Sequence, residues 1–324
     1  MELNSIVCPI CESISVVKKY KLFDDRYAYP GSFNLLECAK CNHKFLDEDF
    51  SSEQLSELYS IYYPRSSFDV ANYKPHQESN GFFSWLRGDK SSTFRWVSKD
   101  VEILDIGCGF GESLGYHKAR GCNVHGVEAD ENIKRVADKF GFNVKVGLFN
   151  SNDYKKDSFD YITMDQVVEH LTNPLEILEG MKSVLKEGGH IVLSTPNANG
   201  FNAKIFKKRW INWHTPYHLQ FFSKESIFIM AQKVGLEVQS IKTITNSRWI
   251  NYQWIHAQYF PKQGKKSLFW SSKSLNIPYS HKIIFKLFSL FHRIGIDHLL
   301  TRLFDALGVG DNYLIILRKK KSSI

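Results

Sequence analysis

The sequence predicts an α/β protein built on a doubly wound parallel sheet, and three observations carry that expectation. Val101 to Ile106 is a mostly apolar run of strand length that contains Asp105. It ends in glycines on alternate positions, Gly107, Gly109 and Gly111, before the helix-compatible Glu112 to Ala119. About twenty residues further on, Val124 to Val127 reads as a second short strand ending in an acid, Glu128. From there short apolar runs alternate with helical patterns as far as Val238, the succession that parallel strands joined by helices require.

Taken in order, the first 41 residues hold four of the six cysteines, as Cys8-Pro9-Ile10-Cys11 and Cys38-Ala39-Lys40-Cys41. Two C-x-x-C knuckles in a chain without an apparent secretory signal suit a tetrahedral Zn²⁺ held by four thiolates. Two disulfides fit a reducing compartment poorly, and a redox C-x-x-C needs no duplicate. With strand-like alternation over 16–22 and 32–37, residues 1–50 read as a zinc ribbon whose folding leans on the metal. Residues 51–98 read as a helical linker and partial lid. Ser51 or Ser52 caps a helix to Ser60, then come Tyr59, Tyr62, Tyr63 and Pro64. The stretch from Arg65 to Gly88 follows, with Gln77 to Leu86 compatible with a further helix.

The core, residues 99–245, begins at the glycine turn. Glycine reaches dihedrals closed to other residues and lets a ligand approach the backbone, so the turn can cradle a small molecule. A dinucleotide fold spaces its glycines as Gly-x-Gly-x-x-Gly, and an acid at position 105 would repel a diphosphate. It suits a cationic centre or an amino group. Glu128 stands where such sheets place an acceptor for ribose hydroxyls, or else is a solvated acid ahead of the helix from Asn132 to Phe140, which Gly141 ends. Asn143 to Val146 reads as the third strand and Ser158 to Met164 as the fourth. Asn173-Pro174 then opens a helix to Leu185, and Ile191 to Ser194 is the fifth strand.

With these residues in view, the chain from Val101 to Val238 resembles the class I S-adenosylmethionine-dependent methyltransferases. The glycine turn looks like their motif I, and Phe159-Asp160, Glu169-His170, Gly188-Gly189 and Thr195-Pro196-Asn197 follow as that family's landmarks. The resemblance implies a seven-stranded, Rossmann-like methyltransferase sheet whose last strand runs antiparallel, with S-adenosylmethionine over the ends of the first two strands. Gly107, Gly109 and Gly111 would permit its approach, Asp105 would order the turn or meet the methionine amino group, and Glu128 would take the ribose hydroxyls. Leu148, where the cofactor's base would lie, and Asp165 and Gln166 at the mouth of the fourth strand complete the expected cofactor contacts. Ubiquinone-pathway O-methyltransferases, to which this segment is similar, place a further acid three residues before their Glu-His pair, and a divalent metal there. Gln166 stands at that position, so a catalytic metal is not expected. A general base would come from histidine: His218, which matches a histidine after the fifth strand in many methyltransferases of this type, His214, or His170.

From Phe201 to Phe222 the chain is basic and aromatic, either a substrate-binding loop above the strand ends or a surface loop packed on the sheet. Ser223 caps a helix to Val234, and Glu237 to Thr243 is the sixth strand. Residues 246–310 read as a helical insertion ahead of the last strand, Tyr313 to Leu317, which with a basic tail occupies 311–324. In the insertion Ile283, Ile284, Leu287, Phe288, Leu290 and Phe291, then Leu299, Leu300, Leu303 and Leu307, are apolar at helical spacings with Lys282, Lys286, Arg293 and Arg302 between them. Such helices cap a site, form a dimer face or lie on a membrane surface.

The 42 basic and 34 acidic residues leave a net charge of +8, which suits nucleic acid, a phosphorylated sugar carrier, an anionic membrane or simply a solvated surface. Without a signal or an apolar run of spanning length, a cytoplasmic protein is expected. The leading expectation is an enzyme that methylates a sugar or nucleotide-sugar of surface-polysaccharide assembly, by analogy with methyltransferases that carry an amino-terminal zinc ribbon. RNA methylation is the second, although Met164-Asp165-Gln166-Val167 lacks the Asn/Asp-Pro-Pro-aromatic signature of base amino-group methylases. A non-enzymatic scaffold is the third, and the intact Asp105, glycines and Glu128 argue against it. The oligomeric state stays open.

Overall fold

The computed structural model of the protein describes residues 6–48, 50–63, 70–270 and 279–320. Pro64, the start of the expected linker at 65–69 and the side chain of Lys282 lie outside them.

Three amino-terminal strands, β1 (Val16–Leu22), β2 (Phe33–Cys38) and β3 (Lys44–Leu46), form an antiparallel meander. Its fourth strand comes from the aromatic loop, at Gln220–Phe221. The ribbon is therefore stitched into the body of the protein: Ser223 Oγ donates to the Cys41 carbonyl at 2.5 Å, and the His43 ring pairs with Gln220 Oε1 at 2.8 Å. Cys8, Ile10, Val16, Leu36 and Phe45 share one buried cluster with residues of the large sheet. Burial there adds to what four thiols alone supply.

After the capped helix α1 (Ser52–Glu57), residues 77–81 do not turn helical as the sequence suggested. Gly81 takes φ +90°, outside the helical region, and α2 is confined to Phe82–Arg87.

The large sheet then follows. Its parallel strands are β4 (Glu102–Ile106), β5 (Asn123–Glu128), β6 (Asn143–Val146), β7 (Phe159–Asp165) and β8 (Leu185–Pro196). Helices α3 (Glu112–Lys118), α4 (Ile133–Phe140) and α5 (Pro174–Val184) connect them; Asn173 caps α5 through its side chain, as expected. β8 starts earlier than predicted, because the chain passes through Gly188 at φ +76° as an irregularity within the strand rather than as a separating turn. The chain continues through α6 (Phe201–Phe206), the short strand β9 already described and α7 (Lys224–Val234) to β10 (Glu237–Thr243). Helices α8 (Arg248–Gln258), α9 (Tyr279–Arg293) and α10 (Ile296–Ala306) precede β11 (Asn312–Arg318).

The strand order is β10-β11-β8-β7-β4-β5-β6, with β11 antiparallel to both neighbours, the arrangement that the resemblance implied. Leu104, Ile162, Met164, Leu193 and Ile315 are fully buried at its centre. Where the order reverses beside β4, the loops that follow β4, β5 and β7 open a crevice at the carboxyl ends of the strands.

Candidate active site

At that crevice the glycine turn is built as a rigid cradle. Gly107 N and Cys108 N both donate to the Val127 carbonyl, at 2.8 and 3.1 Å, which locks the turn to the end of β5. Gly107 sits at φ +75° and a Cβ there would come within 2.5 Å of Val167 Cγ2; Gly109 sits at φ +57° with open space where its Cβ would be. Only glycine combines these conformations with that clearance, and the free side of Gly109 leaves the backbone open to close approach.

The two acids of the turn are placed differently. Asp105 is buried, accepting from Ser113 Oγ at the start of α3 and from Thr163 Oγ1 of β7 at 2.6 Å. Burial raises its pKa to about 6 against the pull of those two bonds. Of the two roles proposed for it from sequence, its contacts fit the ordering of the turn. Glu128 is at the rim. Its Oε2 accepts from Gly109 N at 2.9 Å and its Oε1 from Asp130 N at 2.9 Å, so the carboxylate is held over the turn with lone pairs to spare.

Gln166 and Asp165, expected to face donor or acceptor, are tied into the sheet. Asp165 accepts from Ser194 Oγ and, at 3.3 Å, from Thr93 N. Gln166 Nε2 donates to Ser194 Oγ at 3.0 Å and to Asn312 Oδ1 at 2.8 Å. Leu148 lies past the end of β6 and is 84% exposed, an apolar side chain with no protein partner of its own to fill its surface.

Beyond β7 the three histidines named from sequence come together. The His170 and His218 rings meet edge to face with centroids 4.6 Å apart, and His214 Nδ1 lies 3.4 Å from His218 Nε2. His218 Nδ1 donates to the Asn212 carbonyl at 2.8 Å, an acceptor only, so that nitrogen carries the proton. Burial holds both His214 and His218 well below the usual imidazole range, hence neutral, which leaves His218 Nε2 as acceptor and His214 Nδ1 as donor. The lone pair on His214 Nε2 is then without a partner among the described residues. His170, its pKa lowered by burial to about 4, pairs with the Tyr59 hydroxyl at 3.3 Å.

The sequence marks Glu169 only as half of a Glu-His landmark and assigns it no part in the site. It lies in a single turn of 3₁₀ helix and is 0% exposed; among the described residues neither carboxylate oxygen meets a donor in full hydrogen-bond geometry, and the Thr195 hydroxyl and its own backbone amide only partly offset its burial. Burial raises its pKa to about 8. Thr215 Oγ1 and the Tyr217 hydroxyl are likewise buried, without a partner among the described residues. Rings of Tyr27, Tyr59 and Tyr63 all pack within 6 Å of Tyr217. The signal in the sequence was the Glu-His pair directly after the strand-four exit. Lys204, Lys207, Lys208 and Arg209 are exposed on the segment leading to this cluster.

At the ribbon, Sγ of Cys8 lies 3.6 Å from that of Cys41, and Sγ of Cys11 lies 3.5 Å from that of Cys38; all four fall within 4.8 Å of one another. A disulfide needs about 2 Å, whereas the edge of a tetrahedron with bonds of about 2.3 Å is close to 3.8 Å. The contact between Cys8 and Cys41 lowers the pKa of the first and raises that of the second, as expected of two thiols that share one proton. A separate groove lined by Glu102, Asn123, Asn143 and Lys186 lies at the amino ends of the strands, away from all these groups.

A family described as "Methyltransferase domain" matches residues 74–241, more than half of the chain. Among curated proteins, the ubiquinone biosynthesis O-methyltransferase of Rickettsia conorii is 24% identical over 252 residues, covering 69% of this chain and 87% of the relative. That of Ralstonia nicotianae is 29% identical over 160 residues, covering 45% and 61%. Among solved structures, phosphoethanolamine N-methyltransferase 2 of Haemonchus contortus, in complex with S-adenosyl-L-methionine, is 18% identical with a TM-score of 0.49, covering 86% of this chain and 62% of that one.

Proposed function

The chain belongs to the methyltransferase-domain family and is an S-adenosylmethionine-dependent methyltransferase; from that premise we propose that it methylates a hydroxyl of a sugar or nucleotide-sugar used in surface-polysaccharide assembly. The observation that carries the acceptor class is the group of orphaned polar atoms around Glu169. A buried donor or acceptor without a partner costs about 1–3 kcal/mol, so several in one place mark a site whose ligand supplies the partners. A ring bearing several hydroxyls, with apolar faces for the tyrosines, matches that inventory. The exposed cations on 204–209 suit the phosphates of a nucleotide-sugar.

When bound, the donor supplies a sulfonium methyl that leaves by in-line displacement. The Gly109 cradle would hold its methionine end and Glu128 its ribose hydroxyls. On transfer of that methyl to the acceptor oxygen, the oxygen's proton would pass to Nε2 of His214. His218 and the Asn212 carbonyl fix the tautomer that leaves this nitrogen bare. Glu169, protonated at neutral pH, would donate to a neighbouring hydroxyl. The aromatic loop thus serves as the substrate-binding segment, and its packing on the sheet is what positions the histidines.

The four ribbon cysteines would hold a structural Zn²⁺, consistent with a cytoplasmic protein whose thiols stay reduced. Metal analysis should find about one zinc per chain, released in Cys8→Ser/Cys38→Ser; a metal-free parent refutes the ribbon. For the acceptor, the enzyme is incubated with methyl-labelled donor and a panel of nucleotide-sugars, and products are read by mass spectrometry. Label on the sugar moiety supports the proposal. Label transferred only to RNA or to a phenolic acceptor, with none on any sugar, removes it.

A further inference from the structure

Helices α9 and α10 carry two apolar stripes each, of which only one is used inside the protein. On the inner side Phe288 stacks on Trp254 of α8 with centroids 5.4 Å apart, Phe304 stacks on Phe201 at 4.0 Å, and Thr301 is buried. On the outer side Leu287, Phe291 and Ile294 of α9 and its end, and Leu299, Leu303 and Leu307 of α10 and its end, are 40–66% exposed. They recur at three- and four-residue spacing, which puts them on one face of each helix. α2 extends the apolar surface. Arg302 of α10 donates to the Trp85 carbonyl at 2.6 Å, holding α2 against α10 while Phe83 stays 70% exposed. A surface helix needs one apolar face to dock on its own core, and a second face of this size marks a contact with something else.

The charges on these two helices choose the partner. Lys286 and Arg293 are exposed, whereas both acids turn inward. Asp297 accepts from His292 at 2.5 Å, and Asp305 is bonded to Thr245 and Arg302. Among the described residues, the outer face of the pair therefore presents leucines and cations without a free carboxylate. Two copies meeting through this face would set cation against cation. An anionic bilayer surface satisfies both features, taking the leucines at the acyl boundary and the cations at the head groups. No helix among the described residues is long and apolar enough to cross a membrane, so the contact is with the surface. We propose that α9 and α10, with α2 beside them, form a docking face for an anionic lipid surface. None of its residues belongs to the glycine turn or the histidine cluster.

The test is flotation of the full chain with vesicles of phosphatidylcholine alone, or of phosphatidylcholine with about one third phosphatidylglycerol. The wild type should float with the anionic vesicles and be released by high salt. Leu299→Glu/Leu303→Glu should bind them at least about tenfold more weakly, and Lys286→Glu/Arg293→Glu should lose the preference for the anionic lipid. Both variants should keep the wild-type melting temperature and affinity for S-adenosylmethionine, since the substituted side chains are exposed. Absence of wild-type flotation overturns the proposal, as does undiminished binding by the leucine variant. So does a concentration-dependent dimer, seen by light scattering, that the leucine variant abolishes while lipid binding is absent.

Discussion

The two halves of the active site treat buried polar groups in opposite ways. At the glycine turn every acid is already partnered: Asp105 by Ser113 and Thr163, Glu128 by the amides of Gly109 and Asp130. At the histidine cluster Thr215, Tyr217 and His214 Nε2 are buried with no partner among the described residues, and buried Glu169 has little more than the Thr195 hydroxyl beside it. The first half is preorganised, so that its ligand meets groups that do not have to move. The second half has given up hydrogen bonds in the folded protein that only a ligand restores. On the function proposed above, the constant part of the reaction, the donor, would meet the satisfied half and the specific part, the acceptor, the unsatisfied one.

The sharpest way to break that division is to remove one group from each half. His214→Ala should lower kcat about 10²–10⁴-fold, the usual contribution of a general base, and leave the affinity for S-adenosylmethionine unchanged by calorimetry. A loss of cofactor affinity equal to the loss of rate would place His214 in the wrong half. Glu128→Ala should do the reverse. Losing two hydrogen bonds from ribose hydroxyls to a charged acceptor weakens cofactor binding by about a hundredfold. The fold should survive, because the amides of Gly109 and Asp130 are close enough to solvent to be rehydrated. Unchanged affinity would end the ribose assignment of Glu128.

The satisfied half was the more legible in the sequence, and the reason is locality. A positive φ demands glycine at 107 and 109, Asp105 sits in the strand that feeds them, and Glu128 closes the next strand, so the whole cradle is written within about two dozen residues. The strand order followed from the same alternation of elements. The acceptor half is assembled from segments far apart in the chain. Tyr59 reaches His170 across 111 positions, and the aromatic loop supplies both His214 and a strand to the ribbon. Nothing near Glu169 in the sequence says that it will be buried, since burial is decided by the loop that folds over it. The same holds for α2: Gly81 is visible in the sequence, but the extended, positive-φ backbone it adopts there is not.

The smallest expected effect tests whether Glu169 is protonated in the folded protein. Its pKa is raised from 4.5 to about 8 by burial. A raised carboxyl pKa means that the folded state holds the proton more tightly than the unfolded chain does. Its contribution to stability is complete below pH 4.5 and is lost as pH rises through about 8. The buried histidines act in the opposite sense: their pKa values are lowered, so their contribution is lost as pH falls below 6.5. Above that value the histidines no longer slope, and comparing the wild type with a single variant at 169 cancels the groups common to both. Glu169→Gln, neutral at every pH, should therefore show a flatter fall in melting temperature between about pH 6.5 and 9 than the wild type, by an amount on the order of a few kcal/mol in stability. Parallel curves for the two proteins would mean that the Glu169 carboxyl is ionised in the folded state. It could then only accept a hydrogen bond from the acceptor's hydroxyl, and the donor role assigned to it in the site would pass to another group.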